Sequence, residues 1–85
     1  MNAREAYEKA LWNKLPEKIR KEIERCIEKG LTKTEFYESS HPDLFDADIL
    51  FEMNDILKNL GYIVEVRMID LQIGDDIKLE ISWKL

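Results

Sequence analysis

The stretch DIKLEISWK, residues 76–84, decides the fold because apolar and polar side chains alternate along its whole length. A period of two places successive side chains on opposite faces, as in a β-strand with one buried face. The buried face would carry Ile77, Leu79, Ile81 and Trp83, and the opposite face Lys78, Glu80, Ser82 and Lys84. The run YIVEVRMI, residues 62–69, alternates in the same way, and Gly74 lies in the short connection between the runs. Together they predict an antiparallel hairpin.

The earlier strand of this hairpin has apolar residues on both faces. The face predicted to meet the core carries Tyr62, Val64, Val66 and Met68. Ile63 and Ile69 lie on the opposite face, beside Glu65 and Arg67. This pattern is consistent with an outer face that is partly covered in a dimer.

A helix that ends at Gly61 precedes the hairpin, because glycine commonly follows the last turn of a helix. Its apolar residues recur at helical spacing and predict a core stripe of Phe45, Ile49, Met53, Ile56, Leu57 and Leu60. Asp43, Asp46 and Asp48 crowd its start, where the helix dipole favours negative charge.

The loop SSHPD, residues 39–43, separates this helix from the run TKTEFYE, residues 32–38. Thr, Phe and Tyr favour a strand there, which could pair with either edge of the hairpin. The first 29 residues have helical periodicity interrupted by Pro16. They predict either two helices meeting near Lys14 or one kinked helix, with Gly30 as the stop.

These elements predict one α+β domain over residues 1–85, in the order α(α)-β-α-β-β. Its small three-stranded antiparallel sheet would carry the helices on one face. A chain of 85 residues has room for one domain. Dimerisation would add buried apolar area to a core of this size.

Composition restricts the class of protein and of partner. Cys26 is the one cysteine, and neither a signal peptide nor an apolar run of membrane-spanning length is present in the sequence, so we expect a cytoplasmic protein. The net charge is −5, and residues 39–85 carry four Lys and Arg against ten Asp and Glu, which gives −6. Such a domain repels nucleic acid and anionic membranes, whereas a basic protein surface would attract it.

Three pieces of the sequence carry a resemblance to a known group. The stretches NAREA (2–6), LKNLGYIVEV (57–66) and ISW (81–83) are similar to those of small uncharacterised phage and prophage proteins. The resemblance implies a phage-type accessory protein in the cytoplasm of a bacterial host. Such proteins often bind and inhibit host or defence proteins, and some sequester small signalling molecules.

No catalytic, cofactor or metal site is expected from the residue types and their spacing. His41 has Ser39, Ser40 and Asp43 as neighbours, but residues of one loop rarely converge as a catalytic triad. Cys26 lies on an apolar helix face, which predicts an inert core thiol. The acidic segment at residues 43–55 lacks the glycine of a calcium loop, and the three glycines of the chain are too far apart to form a phosphate loop.

An apolar excess on the second helical region suggests a surface that meets a partner. At 100° per residue, Phe51 falls nearly opposite the core stripe, and Leu44 falls beside it, with Asp48, Asp55 and Lys58 around them. Exposed apolar patches with polar rims are typical of interfaces. Two structural alternatives would remove this patch: the helix begins after Ala47, or the first helix packs across Phe51.

The sequence therefore predicts a non-enzymatic binding module. It would inhibit or modulate a host protein through an acidic, aromatic-anchored surface formed by Leu44, Asp48, Phe51 and Asp55. The alternative is a homo-oligomer that binds or sequesters a nucleotide-like ligand between its subunits.

Overall fold

The computed structural model describes residues 1–72 and 74–83. Within these ranges the elements are helices α1 (Ala3–Lys14) and α2 (Glu17–Glu28), strand β1 (Lys33–Tyr37), a 3₁₀ turn (Pro42–Phe45), helix α3 (Ala47–Asn59), and strands β2 (Ile63–Leu71) and β3 (Gly74–Ser82). The predicted α+β class and element order are confirmed. The predicted continuation of the last strand to Lys84 lies outside the described residues.

The N-terminal region forms two helices rather than one kinked helix. Leu15 and Pro16 both adopt extended backbone conformations, with ψ angles of 148° and 139°. Proline disfavours the helical conformation of the residue before it, so α1 ends at Lys14. Pro16 then stands directly before α2, where its missing N–H leaves no helical hydrogen bond unmade.

Helices α2 and α3 each end at a glycine in the left-handed region, as predicted for Gly30 and Gly61. Gly61 has φ of 95°, and this turn lets the Tyr62 N–H donate to the Leu57 carbonyl at 3.0 Å. The same closure follows α2, at Gly30 with φ of 77°. A side chain at either position would strain the backbone, so these glycines fix where the chain leaves the helix.

The sheet has the strand order β1-β3-β2, with both pairs antiparallel. The hairpin of β2 and β3 forms as predicted, and β1 pairs with the other edge of β3. Leu79 lies at the centre of the sheet, opposite Phe36 on one side and Val66 on the other. The long strand β2 is therefore left as an edge of the sheet.

The helices cover one face of the sheet and enclose the core. The buried core consists of Leu15, Ile19, Ile23, Phe36, Leu44, Met53, Ile56, Leu57, Leu79 and Ile81. Among the described residues, no helix covers the opposite face, which carries charged side chains. There Lys78 contacts both Glu35 and Glu80, each at 3.5 Å.

The hairpin extends beyond the helices that cover the core. Val66 and Met68, which the alternation assigns to the core face, are 46% and 71% exposed. A nine-residue strand is about 30 Å long, whereas the thirteen residues of α3 span about 20 Å. The prediction that these two residues are buried is therefore wrong, because the helices end before the hairpin does.

Three aromatic rings attach α1 to the rest of the domain. Trp12 stacks on Tyr62 with ring centroids 6.5 Å apart, and Trp83 meets Tyr62 edge to face at 6.0 Å. Burial in this cluster raises the pKa of the Tyr62 phenol. Since α1 has no fully buried residue, this cluster and Leu11 provide its contact with the core.

A hydrogen-bonded carboxylate fixes the loop between β1 and the 3₁₀ turn. Asp76 on β3 accepts from the Ser39 hydroxyl at 2.7 Å, from the Ser39 N–H at 3.2 Å and from the Ile77 N–H at 2.9 Å. The hydroxyl of Ser39, followed by these N–H groups, holds the pKa of the Asp76 carboxyl below its usual value against the opposing effect of burial. The charged form of Asp76 thus stabilises the folded state.

Replacing Ser39 with alanine should raise the pKa of Asp76 toward that of an ordinary carboxyl group. Because the folded-state pKa is lowered, its stabilisation is present above the unfolded pKa, about 4, and is lost as pH falls through the folded pKa. S39A should therefore be less stable than the wild type at pH 7, and the difference should vanish in strong acid. An NMR titration measures the pKa of Asp76, and urea unfolding at pH 7 and in strong acid measures the difference in stability. An unchanged titration of Asp76 in S39A would contradict the prediction.

Candidate interaction surface on helix α3

Helix α3 begins later than the sequence periodicity indicated. The carboxylate of Asp46 accepts hydrogen bonds from the N–H groups of Asp48 at 3.0 Å and Ile49 at 3.4 Å, so it caps the helix. Leu44 precedes this cap, lies in the 3₁₀ turn and is 2% exposed. The prediction that Leu44 lies beside Phe51 at the surface is wrong, because helical angles do not apply before the cap.

Phe51 lies on the solvent side of α3, with 77% of its surface exposed. The buried residues of the helix, Met53, Ile56 and Leu57, lie on the opposite side. Helix α1 therefore does not pack across Phe51, which was one of the two alternatives to a surface patch. An exposed phenylalanine gains contact area only when another molecule covers it.

Three carboxylates form a strip along the exposed side of α3, which we call the acidic strip: Asp48, Glu52 and Asp55. At 100° per residue they lie between the direction of Phe51 and that of the half-exposed Ile49. All three side chains are exposed, and no ion pair within residues 1–72 and 74–83 involves them. The strip consequently presents negative charge that no ion pair of the described residues neutralises.

Several other acidic residues of the helical layer are paired. Glu17 contacts Lys21 at 3.0 Å on α2, and Glu22 contacts Arg25 one turn further along. Asp43, expected at the helix start, instead binds Lys18 at 3.0 Å and connects the 3₁₀ turn to α2. The acidic strip groups three adjacent carboxylates without such pairs on one helix, which suits a basic partner.

A pocket of about 210 Å³ opens beside the acidic strip, at the junction of α1 and α2. Its lining consists of Lys14, Pro16, Ile49, Glu52, Met53 and Ile56. Ile49 was predicted in the core stripe but is 42% exposed, because it lines this open pocket rather than the closed core. Sequence reasoning missed this pocket, although the helical angle of Glu52 placed that residue between Asp55 and Ile49.

The candidate catalytic loop does not assemble a triad. Ser39 is engaged by Asp76, and Asp43 is engaged by Lys18. His41 packs edge to face on Phe36, with ring centroids 5.3 Å apart, and accepts the Leu44 N–H at its backbone carbonyl. These contacts give His41 a structural place at the base of the 3₁₀ turn.

The remaining reactive or metal-binding residue types are also placed. Cys26 is 2% exposed, and its Sγ lies 3.9 Å from a carboxylate oxygen of Glu22. In the described part of the chain, no three His, Cys, Asp or Glu side chains are grouped so that they could hold a metal ion. Over the same residues, no helix has both the length and the apolar character that crossing a bilayer requires.

Comparison with known proteins adds no relative to this picture. No protein-family model matches the chain, and no significant match was found among curated proteins or among solved structures.

Proposed function

We propose that this protein is a non-enzymatic binding module that acts on a host protein through α3, as the resemblance to phage accessory proteins implies. The observation that carries the proposal is the exposed Phe51 beside three exposed carboxylates that form no ion pair among the described residues. An aromatic anchor supplies apolar contact area, and the charges steer the partner and set its orientation. The target would present Lys or Arg residues around an apolar contact site.

The arrangement across α3 defines the shape of the target. The acidic strip separates Phe51 from the pocket beside Ile49, and a helix is about 10 Å wide. A basic segment lying across the strip could cover Phe51 and place an apolar side chain in the pocket. This gives two apolar anchors with a charged contact between them, an arrangement typical of peptide recognition.

The pocket favours an apolar side chain over a nucleotide. Lys14 is the one cation in its lining, and Glu52 beside it would repel a phosphate group. The alternative of a homo-oligomer that sequesters a nucleotide-like ligand therefore gains no support from this pocket. Thermal stabilisation by nucleotides would revive that alternative and count against a module that binds protein alone.

The double variant Phe51→Ala, Asp55→Ala should lose the partner without losing the fold. Both side chains are exposed, so the melting temperature should shift by no more than about 3 °C. In a pull-down from bacterial lysate, the wild type should recover a protein that the double variant recovers at least tenfold less, as expected when an interface anchor is removed. Raising the salt concentration should weaken recovery as well, because salt screens the acidic strip.

The matched control removes an exposed apolar and an exposed acidic side chain from another helix. Glu24→Ala, Ile27→Ala on α2 makes the same kind of change, since Ile27 is 52% exposed. This control should recover the partner as the wild type does. Equal recovery by the α3 variant, or loss in both variants, would reject α3 as the binding surface.

A further inference from the structure

The nine-residue strand β2 is an edge of the sheet and lacks several of the residues that often protect an edge. Its run IVEVRMI, residues 63–69, contains no proline, glycine or lysine. Along it Ile63, Val66 and Met68 are 54%, 46% and 71% exposed. A long edge strand with exposed apolar side chains is a template for pairing with another strand.

The hydrogen bonds of β3 show which backbone groups of β2 point outward. The Glu38 N–H donates to the Ile77 carbonyl, and the Trp83 N–H donates to the Thr32 carbonyl, both at 2.9 Å. Backbone groups alternate in direction along a strand. The N–H and C=O groups of Ile77, Leu79 and Ile81 therefore point to β1, and those of the residues between them point to β2.

The alternation on β2 follows from its register with β3. The backbone groups of Lys78 and Glu80 point to β2, where Lys78 lies opposite Arg67 and Glu80 lies opposite Glu65. Arg67 and Glu65 therefore direct their N–H and C=O groups into the sheet. The residues between and beside them direct theirs out of it: Val64, Val66 and Met68.

We propose that β2 pairs with β2 of a second copy of this chain, antiparallel and centred on Val66. The strand is self-complementary in this register. Glu65 faces the partner's Arg67, and Arg67 faces the partner's Glu65. Apolar positions also meet apolar positions: Val66 with the partner's Val66, Val64 with the partner's Met68, and Ile63 with the partner's Ile69.

The backbone geometry fits this register. The outward groups of Val64, Val66 and Met68 meet their equivalents and form about six hydrogen bonds across the seam. Glu65 and the partner's Arg67 then occupy a pair without backbone hydrogen bonds, where side chains approach most closely. The two sheets become one, and the exposed Val66 and Met68 gain cover from the second copy.

Neighbouring registers are disfavoured by charge. Centring the pair on Glu65 places that carboxylate against itself, and centring it on Arg67 places two guanidinium groups together. Like charges directly opposite destabilise a strand pair. Of the registers centred on Glu65, Val66 and Arg67, the charges therefore favour the one centred on Val66.

Exchanging the charges tests the register directly. Sedimentation of the wild type should give twice the chain mass of 10.1 kDa. Glu65→Arg alone and Arg67→Glu alone should each raise the dissociation constant of the dimer roughly tenfold, because each converts two attractive pairs into repulsive ones. The double exchange Glu65→Arg, Arg67→Glu should restore the dimer. Glu65 and Arg67 both face solvent in the monomer, so circular dichroism should show the same fold for the wild type and all three variants.

Cross-linking provides a second, independent measurement. Val66→Cys should oxidise to a covalent dimer, because the two α-carbons lie about 5.5 Å apart in this register. Met68→Cys is the matched control on the same face, and its two copies would lie about 13 Å apart, too far for a disulfide. A monomeric wild type at hundreds of micromolar, a double exchange that fails to restore the dimer, or equal cross-linking at both positions would overturn the proposal. None of these outcomes depends on the α3 surface, so the two proposals succeed or fail separately.

Discussion

Replacing Leu44 with alanine should lower the free energy of unfolding by about 2–4 kcal/mol. Leu44 is 2% exposed and belongs to the core cluster, so truncation removes buried methyl groups and leaves a cavity beneath the 3₁₀ turn. A domain of this length has a total stability of roughly 4–13 kcal/mol, so the loss would be a large fraction of it. Urea unfolding at one fixed protein concentration measures the change.

Phe51→Ala is the control that gives the Leu44 result its meaning. Both are large apolar residues of the same segment, but Phe51 is 77% exposed and its truncation should change stability by no more than about 0.5 kcal/mol. The sequence alone grouped the two residues in one surface patch. Similar losses in the two variants would show that Leu44 and Phe51 share an environment after all.

The prediction that Leu44 lies beside Phe51 was wrong because the helix begins between the two residues. Asp46 satisfies the first N–H groups of α3 and leaves Leu44 in a separate turn that points into the core. Helical angles are meaningful only within one helix, so an apolar residue two positions before the cap could not be placed by periodicity. Asp46 is a good capping residue, but Asp43 and Asp48 offered the same signal nearby.

Features with a local cause were predictable. Alternation with a period of two produced the hairpin, and the left-handed turns at Gly30 and Gly61 ended their helices where expected. The interruption at Pro16 follows from the chemistry of proline itself, although the sequence left open whether it separates two helices or kinks one. Each depends on a few adjacent residues, which is why a single sequence was enough.

Features set by distant contacts were not predictable. The alternation in β1 shows which face of the strand is buried, yet it does not select a neighbour, because both edges of the hairpin offer apolar partners. The pocket beside Ile49 requires the relative placement of three helices. For the candidate surface, the sequence supplied Phe51 and the carboxylates, whereas their separation from Leu44 and their neighbouring pocket came from tertiary packing.

Leu79→Ala should be the most destabilising of the single substitutions considered, at about 3–5 kcal/mol. Leu79 is completely buried at the centre of the sheet, where it lies opposite both Phe36 and Val66. Truncation there removes packing between all three strands and the helices. Against a total of roughly 4–13 kcal/mol, the variant should be partly unfolded at room temperature or unfold at low urea concentration.

The control for Leu79 is Ile77→Ala, two residues earlier on the same face of the same strand. Ile77 is only partly buried and lies opposite Met68, which is 71% exposed, so its truncation should cost about 1 kcal/mol. The contrast measures where the core ends along the hairpin. If Ile77→Ala were as damaging as Leu79→Ala, the end of the hairpin would be covered in solution. A second copy paired through β2 would explain that cover only if the excess loss disappeared in the Glu65→Arg background at a concentration where sedimentation shows that variant to be monomeric, because the pairing stabilises the dimer alone.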